Sequence, residues 1–97
     1  MRQITKAAVN AFYDGQNFGK GNTTVVVNPD GILLYLFGNC IAYRDLHSNK
    51  VSITTAGFPT RTTLDRLNGL YGVKVSIKKG ELYYYDQLWD GSWRWAG

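Results

Sequence analysis

The amino-acid sequence predicts an α+β fold: an antiparallel sheet of about six strands, in the order α-β-β-β-β-α-β-β, with two short helices packed on one face. Three observations lead there. Val73, Val75 and Ile77 alternate with Lys74, Ser76 and Lys78, a clean period of two. Turn signals at Asn28-Pro29-Asp30-Gly31 and Gly38-Asn39 punctuate β-branched and apolar runs. Apolar residues recur at helical spacing twice, as Ala8 and Phe12 and as Leu64, Leu67 and Leu70.

The first helix reads from a Thr5 cap through Ala7, Ala8, Val9, Ala11, Phe12 and Tyr13, with Gly15 as its stop. Residues 16–22, carrying Gly19 and Gly21, read as a loop. Thr23 to Val27 is β-branched throughout and predicts a strand. In the turn that follows, Pro29 presets φ and Gly31 is expected to take the left-handed conformation that closes a bulged hairpin. The unbroken apolar run Ile32 to Phe37 predicts a central strand covered on both faces. Gly38-Asn39 suggests a type II′ turn into a strand from Cys40 to Arg44. Asp45 to Asn49 is a polar loop, and Val51 to Thr54 alternates as a half-buried strand. Thr23 to Thr54 is therefore expected to be a four-stranded antiparallel meander.

The second helix is expected from Thr62 or Thr63 to about Leu70, with Thr62 capping and Asp65 three residues later completing a short capping box. After it come the strand Val73–Ile77, a turn at Lys79-Gly80 and a returning strand Glu81–Tyr85. Asp90-Gly91 suggests a last hairpin that sets Leu88 and Trp89 opposite Trp93 and Trp95.

Composition bounds the rest. Ninety-seven residues, 44% hydrophobic and 19% charged, make one domain (1–97) with a core of its own. A chain of this size buries roughly 60–70% of the surface its unfolded form exposes, so neither disulfide nor metal is required. Cys40 is the single cysteine. It reads as a small buried hydrophobe, and a lone thiol suits a reducing compartment. No apolar run approaches the ~20 residues of a membrane helix, and no apolar stretch follows the basic N-terminus as in a signal peptide. A cytoplasmic protein without membrane contact is expected.

The segment from Gly38-Asn39 through Ile53, then Ala56-Gly57-Phe58-Pro59-Thr60, Thr62-Thr63-Leu64-Asp65-Arg66-Leu67-Asn68-Gly69, Gly72-Val73 and Trp89-Asp90-Gly91, resembles small proteins encoded by tailed phages. The likeness covers about two thirds of the chain. It implies a viral origin and a host-cell setting, and it brings no active site and no biochemical role with it.

Enzyme signatures are absent from the sequence. His47 is the single imidazole, so any Ser-His or Cys-His pair would have to use it. Its neighbours Leu46, Ser48 and Asn49 place it in an exposed loop. Asp14, Asp30, Asp45, Asp86 and Asp90 sit where turns and helix ends favour Asp. Gly19-Lys20-Gly21-Asn22-Thr23 lacks the spacing of a phosphate loop. No cofactor or metal is expected. An unusual hydrolase or transferase would need carboxylates converging in a cleft with Arg61 or His47.

Three features point to binding. A charge of +4 and a pI near 9.3 favour acidic partners. Arg61, Thr62 and Thr63, with Thr60, could hold a phosphate at the second helix's N-terminus, although plain capping explains them as well. Lys74, Lys78 and the adjoining Lys79 make a basic strand that could follow a phosphate backbone, or merely guard a sheet edge. Tyr83, Tyr85, Trp89, Trp93 and Trp95 form an aromatic tail beside Arg94, suited to stacking on bases or to a protein interface. The sequence thus leaves two classes open: a module for nucleic acid or a nucleoprotein, or a module for a host or viral protein, self-association included.

Overall fold

The structure is a computed structural model and describes residues 2–96. Its main element is a six-stranded antiparallel sheet in the order β1-β2-β3-β4-β5-β9. The strands are β1 (Phe18–Lys20), β2 (Thr23–Val27), β3 (Gly31–Leu36), β4 (Asn39–Asp45), β5 (Val51–Ile53) and β9 (Arg94–Trp95). Helices α1 (Gln3–Asp14) and α2 (Arg61–Asn68) cover one face. A second sheet of three strands, β6 (Val75–Lys78), β7 (Glu81–Tyr84) and β8 (Gln87–Leu88), lies between α2 and β9 in the chain. The expected four-stranded meander is β2 to β5, and both helices share a face as the sequence predicts.

Helix α1 begins at Gln3, two residues before the expected cap. Thr5 is instead turned inward and fully buried. The helix stops as expected: Gly15 takes φ +70°, and its N–H donates to the Ala11 carbonyl. Arg44 reaches up from β4 and donates from Nε and Nη2 to the Phe12 carbonyl (3.2 and 3.0 Å) and from Nη2 to Tyr13 (3.0 Å). A cation on the last carbonyls of a helix satisfies orphan acceptors and opposes the negative dipole end.

Helix α2 is capped by Thr60, not Thr62. The Thr60 hydroxyl accepts from the Thr63 N–H at 3.2 Å. Asp65 is thereby released from capping, and it meets Arg66 instead. The Arg66 side chain is 1% exposed, the largest fully buried side chain among the described residues. Its Nε donates to Thr23 Oγ1 at 3.0 Å and its Nη1 to Thr5 Oγ1 at 2.7 Å and Asp65 Oδ2 at 2.9 Å. Nη2 reaches Asn22 Oδ1 at 3.4 Å. The two hydroxyls pass the bonding on: Thr5 donates to Asp65, and Thr23 donates to Asn22 at 2.7 Å. Burial pulls the guanidinium pKa below its ordinary value, and the Asp65 charge opposes that shift. Gly69 lets the helices close around this network, since a Cβ there would stand 2.8 Å from both Thr5 and Val9 side chains.

The sheet departs from expectation in instructive ways. Residues 18–20, read as loop, pair with β2 as a short edge strand. The hairpin after β3 turns on Phe37-Gly38, not Gly38-Asn39, with both residues at positive φ (51° and 79°) as a type I′ turn requires. Gly31 does not adopt a left-handed φ. Its missing side chain makes room for the Tyr43 ring, which a Cβ would meet at 2.3 Å. Register shifts between Leu34 and Tyr35, where Ile41 is the extra residue of β4, so Ile41 and Ala42 are both buried in succession.

The last quarter holds the largest correction. No hairpin joins Leu88 and Trp89 to Trp93 and Trp95. Leu88 pairs with Tyr83 inside the small sheet, whereas Trp95 crosses to Ser52 on β5. Gly91 makes the crossing: its carbonyl accepts from the Thr55 N–H (2.9 Å) and the Thr54 hydroxyl (2.6 Å). At φ +84°, with Thr55 Oγ1 2.3 Å from where a Cβ would be, that position admits only glycine. Among the described residues, no strand of the small sheet pairs with a strand of the large one. Asn68, at the end of α2, holds it through paired bonds, its amide nitrogen donating to the Val75 carbonyl (2.9 Å) and its oxygen accepting from the Val75 N–H (2.8 Å). Val73, Val75, Tyr84 and Trp89 then join Phe12, Leu34, Ile53 and Leu67 in one core.

Two stability measurements follow. Arg66→Ala strands Asp65 and two buried hydroxyls, and should cost about 3–4 kcal/mol in urea unfolding. Arg66→Lys should recover less than half of that, because an ammonium cannot fork to Thr5, Thr23 and Asn22 together. Gly91→Ala should cost about 2 kcal/mol, and hydrogen exchange should quicken in residues 92–96 more than in β2–β4.

Candidate interaction surfaces

The strand register places Thr24, Val26, Leu33, Tyr35, Cys40, Tyr43, Ser52 and Trp95 on the face of the large sheet away from the helices. Alternation puts them there: their neighbours Val25, Leu34, Ala42 and Ile53 are buried on the helix side. Trp93 joins the outer row, lining a shallow hollow with Leu33, Cys40, Tyr43 and Ser52. The side chains of this face are half-buried by their own neighbours or exposed, and Trp93 and Trp95 are 52% and 59% exposed. None carries a formal charge. Charges bordering it include Asp45, bound into its turn through the His47 N–H (2.8 Å), Lys50, whose Nζ lies 5.8 Å from the Trp95 ring centre, and Arg94, which lines a hollow with Ser52, Trp93 and Trp95.

Two expectations are overturned here. Strand β3 is covered on one face, not two, so its outward Leu33 and Tyr35 stay partly open. Cys40 points outward and is half-buried rather than sealed in the core. Burial still pushes its thiol pKa up. That makes it a poor nucleophile at neutral pH, since the thiolate is the reactive form.

The expected basic strand forms a second, smaller surface. Lys74, Lys78 and Lys79 are exposed. Lys78 stands in register with Glu81, and its Nζ lies 5.9 Å from the Tyr83 ring centre. Leu88, opposite Tyr83, is exposed on the same side. An acid thus faces the lysine row.

The aromatic tail divides. Trp89 is 9% exposed and belongs to the core rather than to any stacking surface: its Nε1 donates to the Ser92 carbonyl at 3.0 Å, and its ring packs edge-on against Tyr84. Tyr85 is partly exposed, with its hydroxyl donating to the Gly72 carbonyl at 2.7 Å. Arg94 is turned inward and lies 3.7 Å over the Tyr84 ring, a cation–π contact. Arg94 and Trp95, adjacent in β9, point to opposite faces. The small sheet stands on Arg94's side through Tyr84, and the exposed tryptophans stand on the other. Lys74, Lys78 and Lys79 are therefore not brought together with Trp93 and Trp95.

At the start of α2, Arg61 is exposed and Thr62 half-buried. Thr63 is buried, with its hydroxyl 3.0 Å from that of Thr60. The two hydroxyls serve the cap and each other. His47 sits in its turn beside Asp30, 3.3 Å away and exposed. Among the described residues, no group of His, Cys, Asp and Glu has the arrangement of a metal site, and no helix is long and apolar enough to cross a membrane.

Residues 1–94 match the model of the family described as Kyanoviridae Gp96 protein. The chain belongs to that phage protein family. The match agrees with the tailed-phage resemblance carried by the segments from Gly38-Asn39 to Trp89-Asp90-Gly91. No curated protein and no solved structure matches the chain.

Sequence reading missed Leu33, Tyr35 and Tyr43 as surface residues. The available signal was the length of the apolar run in β3, which marks a strand with two apolar faces without saying what covers the second. Cys40 offers a direct probe of that face. Iodoacetamide should alkylate it more slowly than a free thiol at pH 8, and unfolding in urea should restore the free-thiol rate.

Proposed function

We propose that this phage protein is a non-enzymatic protein-binding module, acting in the host cytoplasm on a host or viral protein, and that its contact surface is the outer face of the six-stranded sheet. The observation that carries this reading is chemical. On a chain of net charge +4, the outer sheet face is uncharged across its centre and rich in aromatic residues, with Leu33, Tyr35, Tyr43, Trp93 and Trp95 at its centre and edge. Contiguous apolar surface is uncommon on a solitary soluble domain, and Trp and Tyr are the residues that anchor protein interfaces. A non-enzymatic role draws support from Asp65, the carboxylate that shares a groove with Arg61. It is bound to Thr5 and Arg66 and so committed to structure.

A nucleic-acid role is the second reading, favoured by the lysines of the small sheet beside Tyr83. It draws less support because Glu81 stands in register with Lys78, and the exposed tryptophans are carried on a different sheet from these lysines.

Capture from infected-cell extract, with nuclease treatment, separates the two. The partner should be retained after nuclease, lost by at least about tenfold with Leu33→Lys or Trp95→Lys, and kept by the Lys74→Glu, Lys78→Glu double variant. Nuclease-sensitive capture that depends on Lys74 and Lys78 but not on Leu33 would overturn the protein-binding reading and install the nucleic-acid one.

A further inference from the structure

We infer that the groove between α2 and β6 receives an extended acidic segment of another protein, which adds a strand to the small sheet along β6. This site lies apart from the outer face of the large sheet and does not rest on the role proposed for that face. An open strand edge, the walls beside it and the charges around it argue for this occupant.

Strand β6 is the outer strand of the small sheet, paired on one side only, with β7. Antiparallel pairing turns the N–H and C=O groups of alternate residues toward the partner strand and those of the others away from it. The Lys74 carbonyl accepts from the Tyr85 N–H at 2.8 Å, so Lys74, Ser76 and Lys78 face β7. Val75 faces the other way. There the Asn68 amide bonds to both its N–H and its carbonyl, as the backbone of a neighbouring strand would. Ile77 has the same orientation as Val75, and among the described residues no group bonds to it from that side. An outward N–H and C=O on an edge strand are a template for an added strand.

The groove has a volume of about 540 Å³ and is lined by Arg61, Leu64, Asp65 and Asn68 of α2 and by Val75 and Ile77 of β6. Four helix residues rise ~6 Å and two strand residues ~6.6 Å. Leu64 therefore keeps pace with Ile77 as Asn68 does with Val75. Leu64 is half-buried and Ile77 is 45% exposed, so one apolar side chain laid between them would complete their cover. Asn68 closes one end of the groove, and the other opens past Arg61.

Alternation sets Lys74, Ser76 and Lys78 on the face of β6 opposite to Ile77. A strand paired at Ile77 places one residue beside it and the two flanking residues beside Ser76 and Lys78, within diagonal reach of Lys74. Among the described residues, Arg61, Lys74 and Lys78 are in no ion pair. The carboxylate inside the groove, Asp65, is held by Thr5 and Arg66. Glu81 stands on the β7 side of Lys78, away from the open edge. The segment that fits is thus acidic, then apolar, then acidic. The same lysines exclude a second copy of this chain, because two β6 edges laid together would oppose their lysine rows.

A blocked heptapeptide of alternating glutamate and valine tests this on the intact protein. Without peptide, the Ile77 amide should exchange with solvent at least about tenfold faster than those of Ser76 and Lys78. Saturating peptide should slow Ile77 exchange by at least about tenfold, with a Kd of about 10–100 µM by fluorescence anisotropy. A peptide with N-methylated valines, and one with lysine in place of glutamate, should each bind at least about tenfold more weakly. Ile77→Pro removes an N–H that serves no ladder bond, so it should keep the fold and lose at least about tenfold in affinity. Leu33→Lys should leave the Kd unchanged. The N-methylated peptide uses the unaltered chain, which keeps the result readable if Ile77→Pro misfolds. An Ile77 amide already protected without peptide overturns the proposal. So does a peptide that fails to bind at about 1 mM, or that binds equally well when N-methylated. Binding of oligothymidine in its place, weakened by Lys78→Glu and indifferent to Ile77→Pro, also overturns it and gives the lysine row to phosphates. Failure here leaves the outer-face role standing, since that role turns on Leu33 and Trp95.

Discussion

A guanidinium cannot be taken out of water unless its N–H groups find acceptors, and that constraint shapes the helical side of this protein. Arg66 is buried at the meeting point of four segments, and each supplies an oxygen: Thr5 from α1, Asn22 from the β1–β2 turn, Thr23 from β2 and Asp65 from α2 itself. The network closes on itself, because the two threonine hydroxyls donate onward to Asp65 and Asn22. A buried polar cluster of this kind adds little net stability over a well-packed apolar one, but it tolerates few alternative arrangements. Helix α2 can sit in one rotation and one depth against α1 and β2. Gly69 removes the last obstacle to that approach.

With both helices held on one side, the other side of the sheet is left without cover. Antiparallel sheets commonly expose a polar face to water. This one exposes tyrosine, tryptophan, leucine and cysteine, while Lys74, Lys78 and Lys79 stand on or beside a separate small sheet. The separation follows from β9. By returning to pair with β5, the chain sends Trp95 outward and Arg94 inward to Tyr84. Two residues of strand thus set the exposed Trp95 on a different face from Arg94 and the small sheet.

Much of the fold was legible in the sequence because its signals are local. The period of two in Val73–Ile77, the glycine at the end of α1 and the meander from Thr23 to Thr54 depend on neighbours in the chain. The misreadings share another cause. Thr5 and Thr62 look like caps because hydroxyls near helix starts usually cap, but Thr5 was claimed by an arginine 61 positions away. Gly31 looked like a left-handed turn residue, when its role is to let the Tyr43 ring lie over it. Asp90-Gly91 carries a sound hairpin signal, overridden because the Gly91 carbonyl finds Thr54 and Thr55 on a strand laid down much earlier. The lysines and the exposed tryptophans were each recognisable as surface residues. Which of them share a side depends on the path of β9, and no local pattern records that.

The paired bonds between Asn68 and Val75 have a consequence for how the molecule comes apart. Each sheet is zipped internally by its own ladder, whereas the links described between them are made by side chains: the helix-borne Asn68 amide, ring packing around Tyr84 and Trp89, and Arg94 over the Tyr84 ring. A side-chain joint lacks the row-by-row cooperativity of a strand pairing, so it forms a seam. Partial opening should release residues 73–88 together as one foldon while the larger sheet stays intact. The protein is then best pictured as a rigid plate with a detachable flap, in which the flap carries Lys74, Lys78 and Lys79 and the plate carries the outer face with Trp95.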